Sequence, residues 1–80
     1  MYKERHKVRL EDIMVFTKYD LPRVILYAWE CSGPESFGRI VDHNNPVILS
    51  GQKPYQIVDG GANVLYARLL GKEDIIAIFI

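Results

Sequence analysis

Residues 59–63, Asp-Gly-Gly-Ala-Asn, are the stretch of this 80-residue chain whose types and spacing best suit a chemical task. The apolar run Tyr55–Val58 stops at Asp59-Gly60-Gly61, and a helical pattern starts directly afterwards. A glycine turn feeding a helix aims backbone N–H groups and the positive end of the helix dipole at one spot. Its chemistry is anion or phosphate binding. The candidate nucleotide- or anion-binding set is Asp59, Gly60 and Gly61 with the N–H groups of Ala62 and Asn63. Asp59 would repel a phosphate unless it turns back to cap the helix, and that orientation is the expected one. A purely architectural reading stands beside it: two glycines permit positive φ and close helix–sheet approach.

A second candidate is electrostatic. Lys3, Arg5, Lys7 and Arg9 crowd the first nine residues with His6, opposed only by Glu4. Such a run serves either as a solvated, protected strand edge or as a contact for nucleic acid or an acidic partner. Ten basic and ten acidic residues leave a formal net charge of zero, so global charge supports no nonspecific nucleic-acid binding.

Other constellations are thinner. Val41-Asp42-His43-Asn44-Asn45-Pro46, with Asn63 further on, echoes the HNH nuclease pattern, in which His43 would activate water and Asp42 would hold a metal. The later ligand of that pattern has no counterpart, since residues 64–80 contain no His, Cys or Asn. A polar turn before a strand is the competing reading. Glu11/Asp12 are adjacent and would face opposite ways on a strand, and Glu73/Asp74 read as a solvated loop. No catalytic residue and no metal site are assigned. The single cysteine, Cys31, excludes an internal disulfide and a cysteine-rich zinc site. Of Tyr19, Tyr27, Trp29, Phe37, Tyr55 and Tyr66, most are expected in the core, any exposed remainder serving as binding anchors.

The elements that position these residues follow from periodicity. Lys7–Leu10 alternates at period two, as a half-buried strand does. Asp20 and Pro22 suit a helix start, yet Arg23–Trp29 (RVILYAW) is rich in β-branched and aromatic residues and is read as a strand. Cys31–Pro34 is a turn, Pro34–Asp42 a short helix, and His43–Pro46 a turn. Val47–Leu49 and Tyr55–Val58 are strands joined by Gly51–Pro54. Ala62–Leu70 is a helix with Ala62, Leu65 and Leu69 on one side, capped by Gly71 and followed by Lys72. Ile75–Ile80 is apolar on both faces and belongs in the sheet interior.

Three boxes resemble the ParB N-terminal domain and sulfiredoxin-like superfamily. Val8-Arg9-Leu10-Glu11-Asp12-Ile13 resembles its opening box, and Asn45-Pro46-Val47-Ile48-Leu49 its central segment. Tyr55–Gly61, Ala67-Arg68-Leu69-Leu70-Gly71 and Ile76-Ala77 resemble its closing box, and together the boxes cover about half the chain. Functional members of that superfamily follow the Asp-Gly turn with histidine or an acidic residue and then arginine. The sulfiredoxin branch sets a catalytic cysteine before histidine and arginine. Here those positions are Gly61, Ala62 and Asn63, so neither nucleophile nor bidentate phosphate clamp is in place.

The resemblance implies an α+β fold: residues 1–80 as a single ParB/sulfiredoxin-like domain, with a mixed sheet and one main C-terminal helix. It implies a retained scaffold with an emptied site, hence a non-catalytic interaction or regulatory module. Such a module would be of phage or plasmid type, inhibiting a host nucleic-acid enzyme through a protein partner or assembling into a homo-oligomer. Two alternatives are a CTP- or ATP-binding switch or weak NTPase using the Asp59–Asn63 turn, and a DNA-binding partition-type protein. No cofactor is expected beyond a possible nucleotide. The charged start and the lack of any apolar run near 20 residues imply a cytoplasmic chain with no membrane contact.

Overall fold

The computed structural model of the chain describes residues 4–37 and 46–80, and of residues 34–37 only the backbone. The alternating Lys7–Leu10 stretch becomes β1 (His6–Arg9), with Val8 turned inward and its neighbours exposed. Three further strands, β2 (Val47–Ser50), β3 (Gln56–Asp59) and β4 (Asp74–Phe79), complete a mixed sheet in the order β1-β4-β2-β3. β4 runs antiparallel to β1 and parallel to β2, and β2 runs antiparallel to β3. The last strand is therefore interior, as its apolar composition requires. The protein is a small α+β domain.

Register decides what is buried. Val8 pairs with Ile75, while Val47 and Leu49 lie opposite Ala77 and Phe79, so these side chains share one sheet face. Against that face packs α2 (Gly61–Leu69), whose Val64 and Ala67 join Leu10, Ile13, Val47, Leu49 and Ala77 in one core. Val47, Leu49 and Val64 are its largest fully enclosed side chains. Each is worth about 1.5–3 kcal/mol of burial, so a core this small holds the fold by a narrow margin.

A helix occupies the place where a strand is expected. Residues Arg23–Phe37 form α1, opened by the Leu26 N–H donating to the Pro22 carbonyl. The decision is made just upstream. Thr17 and Asp20 close a 3-10 turn (Lys18–Asp20) in which the Thr17 N–H donates to the Asp20 carboxylate at 2.8 Å. Leu21 is buried behind it, and the segment that follows pairs with no strand of the sheet. A helix satisfies its own backbone groups there, which an isolated strand cannot do. Asp20 thus bonds back to Thr17 and does not cap α1. Among the described residues there are two α-helices, the longer of them N-terminal to α2. Gly33, placed by its sequence in a turn, lies within α1 at φ 78° and ψ 161°, where the helical path breaks. The helix expected over Pro34–Asp42 and the turn at His43–Pro46 fall largely outside the described residues.

α2 ends as predicted. Gly71 sits at φ 74°, its N–H donates to the Arg68 carbonyl, and the Lys72 N–H reaches back to the Ala67 carbonyl. This is the paired hydrogen-bond pattern of a left-handed glycine cap. The buried side of α2 is not the Ala62–Leu65–Leu69 side, however: Leu69 is 55% exposed, and Val64 and Ala67 turn inward. No helix among the described residues is long and apolar enough to cross a membrane.

Candidate functional site

The strand–turn–helix–strand unit exists as β3–Gly60–α2–β4. Gly60 takes the N-cap position in the left-handed region, at φ 91° and ψ 24°. The first helical rung runs from the Val64 N–H to the Gly60 carbonyl, so the earlier amides point out of the helix start. The N-cap position is Gly60, which makes no side-chain cap bond, and this corrects the capping role expected of Asp59. Asp59 is held as the last residue of β3, paired with Ile48, and Gly60 carries the chain past it.

Both glycines answer to packing. A Cβ on Gly60 would lie 3.2 Å from Val47 Cγ2 and 3.3 Å from its Cα. A Cβ on Gly61 would overlap the Phe16 ring, 2.7 Å from Cε1. The aromatic ring lies over the first residue of α2, beside the turn where a bound anion would approach. Further along the helix, the half-buried Arg68 Nη2 donates to the carbonyls of Leu10, Ile13 and Met14 at 3.2, 3.2 and 3.1 Å. Gly61, Val64 and Arg68 fall at i, i+3 and i+7, one stripe of the helix. That stripe receives the Leu10–Phe16 segment and sets the rotation of α2, which is why Val64 faces inward and Leu69 outward.

The basic cluster is divided. Lys7 pairs with Asp74 at 3.6 Å, and Arg9 with Glu11 at 3.2 Å. Arg5 lines a cleft of about 650 Å³ together with Asn63, Tyr66, Lys72 and Glu73. Lys3 lies outside the described residues. The structure thereby brings Arg5 to the helix that carries Asn63, two residues assigned by sequence to separate sites. Asp74 also lines the cleft, so its cations and anions are balanced.

Glu11 and Asp12 belong to a 3-10 turn and not to a strand, and Asp12 pairs with Lys53 at 3.3 Å. Asp74 opens β4, whereas Glu73 is exposed in the connection. Asp42 and His43 of the nuclease-like pattern lie outside the described residues. Among the described residues, no group of three or more His, Cys, Asp or Glu side chains is placed to hold a metal. No buried side-chain polar atom there is left without a hydrogen-bond partner. Cys31 is exposed.

The aromatics depart from expectation. Of the five whose side chains are described, none is fully buried, and only Tyr55 packs on the core, edge-on to Phe79 at 4.8 Å. Tyr27 on α1 is 72% exposed and Val24, one turn before it, 82% exposed. No described side chain of α1 is buried. Sequence reading missed Phe16, Arg68 and this stripe. For the stripe a signal existed, since Val24, Tyr27 and Cys31 recur at helical spacing. Comparison with family models, with curated proteins and with solved structures returns no match.

Proposed function

We propose that this chain is a non-catalytic interaction module, built on a ParB/sulfiredoxin-like scaffold and acting by protein contact through α1. The observation that carries the reading is the exposed Val24–Tyr27 stripe on a helix none of whose described side chains is buried. An amphipathic helix ordinarily hides its apolar stripe, and exposed tyrosines are typical interface anchors. The Gly60–Gly61 turn supports the same direction, because Val47 and Phe16 account for both glycines by packing. A short regulator of phage or plasmid type, directed at a host nucleic-acid enzyme, is the form of module this reading favours. The test is capture by a tagged chain from native cell extract, with mass spectrometry of whatever is retained, a second copy included. A species held by the wild type and lost in a V24S/Y27S variant with an unchanged circular-dichroism spectrum supports the reading. Hydrolysis of CTP or ATP above background overturns it.

A nucleotide-binding switch is the second reading, favoured by the cleft that joins Arg5, Lys72, Asn63 and Tyr66. Cations and an aromatic ring along one side of α2 suit a nucleotide, while Glu73 and Asp74 in the same cleft oppose its charge. Nucleotide-dependent shifts of the Gly61–Asn63 amides, abolished in R5A, would establish this reading.

A further inference from the structure

We infer that the partner of α1 is a second copy of this chain, the two helices packing antiparallel about a two-fold axis near Tyr27. The inference rests on the reading of α1 as a contact surface and adds the identity of what covers it.

The argument is the charge pattern on the exposed face. Arg23, Tyr27 and Glu30 fall at i, i+4 and i+7, so a cation and an anion flank the exposed ring on one stripe. Their separation along the axis is about 10.5 Å at ~1.5 Å per residue. An antiparallel two-fold through Tyr27 sets Arg23 of each copy against Glu30 of the other, making two equivalent ion pairs. It also places Val24 opposite Glu30 and one residue from Cys31, as Arg23 is one residue from direct register with Glu30. A parallel arrangement would set Arg23 on Arg23 and Glu30 on Glu30. Isologous pairing is the usual form of a homodimer, and here only its antiparallel version is charge-complementary.

Glu30 is prepared for this contact. Its Oε1 is engaged by Lys18 Nζ at 3.2 Å, which holds the side chain in place. A carboxylate has two oxygens, so an arginine from the other copy adds to that pair without displacing it. Self-association through the β1 edge is disfavoured. Antiparallel pairing of the β1 edge with itself would stack Lys7 and Arg9 against each other across a short strand.

One helix face buries less than the ~800 Å² per partner of a standard interface, so a weak dimer is expected. Sedimentation velocity should therefore extend to about 1 mM, the upper end of the range such an interface implies. The wild type is expected to show a concentration-dependent monomer–dimer equilibrium. R23E and E30R should each weaken dimerisation about tenfold or more, and R23E/E30R should recover part of that loss, because the two pairs are re-formed with reversed sign while the new arginine at position 30 loses its hold on Lys18. A wild type that stays monomeric throughout, or a dimer indifferent to these changes, overturns the inference. If a charge variant fails to fold, oxidative cross-linking decides. V24C should bridge to Cys31 of the other copy, whereas wild-type Cys31–Cys31 bridging at comparable yield would indicate the parallel arrangement and overturn it. A monomeric wild type whose partner capture is still lost in V24S/Y27S sinks self-association alone. Capture unaffected by V24S/Y27S sinks the use of α1 as well.

Discussion

The ring of Phe16 occupies the space that any side chain at Gly61 would need, with Cε1 2.7 Å from the Cβ position. A glycine that looks like a phosphate-turn residue is thus explained by an aromatic ring from a distant loop. G61A should destabilise the protein by about 1–3 kcal/mol, the usual cost of overpacking. The paired change F16L/G61A should recover part of that loss, since a narrower side chain makes room. Urea unfolding of the two single variants and the pair measures the coupling. Strictly additive losses would mean that the ring does not constrain residue 61.

Arg68 ties α2 to three carbonyls of the segment that follows β1, those of Leu10, Ile13 and Met14. Removing a charged donor from half-buried acceptors costs about 2–3 kcal/mol. R68M should lose about this much while keeping the aliphatic packing, and R68K should fall between the two because lysine lacks the planar fork. Hydrogen exchange should locate the damage. The Met14 amide, bonded to the Tyr55 carbonyl, should lose protection before the amides of β4 do.

What was legible in the sequence was local. Gly71 declares the end of α2 because its cap needs only neighbouring carbonyls, and Ile75–Phe79 declares an interior strand because both its faces are apolar. RVILYAW was not legible, since its composition suits a strand or a helix. The outcome was set by the Thr17–Asp20 turn and the route of the chain beyond it. The rotation of α2 was equally hidden. Leu65 and Leu69 are the more apolar side, but Arg68 and Gly61 answer to contacts from residues 10–16, which no period reveals. For the same reason the position of the candidate turn could be read, and the ring lying over it could not.

Gly60 and Gly71 both hold positive φ, at 91° and 74°, but their surroundings differ. A Cβ at Gly71 meets nothing within 4 Å, so G71A should cost only the left-handed penalty, about 1–2 kcal/mol. At Gly60 the same penalty adds to contact with the Val47 backbone, which cannot move without disturbing β2. G60A should therefore be the more damaging of the two. Thermal unfolding of both variants under one buffer condition gives the comparison, and equal losses would contradict the close approach to Val47.

The Lys18–Glu30 pair sets an alkaline limit. The hydrogen bond to Glu30 raises the Lys18 pKa above its ordinary 10.5, helped by charge interaction with Tyr19 and Glu30. A raised folded-state pKa means that the pair's contribution is complete below the ordinary lysine value and is lost as pH rises through the folded one. This pair should leave the melting temperature flat through neutrality and lower it only above about pH 10.5. K18M should remove that alkaline component while shifting stability little at neutral pH, because the pair is solvent-exposed. A slope near neutrality that K18M abolishes would contradict this assignment.

DNA binding through the basic N-terminus should be weak, because its charges are already engaged. Lys7 is paired with Asp74 and Arg9 with Glu11, so at two of the four candidate cations a phosphate must compete with a carboxylate of the fold. Each phosphate contact contributes about −0.9 to the slope of log affinity against log salt. The wild type should therefore show a slope no steeper than about −2, whereas four working contacts would give about −4. E11Q/D74N releases Lys7 and Arg9 and should steepen the slope by about 2. Fluorescence anisotropy with a short duplex across a salt series reads both numbers. A wild-type slope near −4, unchanged in the variant, would show that the ion pairs open on contact and that the basic run is a nucleic-acid interface after all.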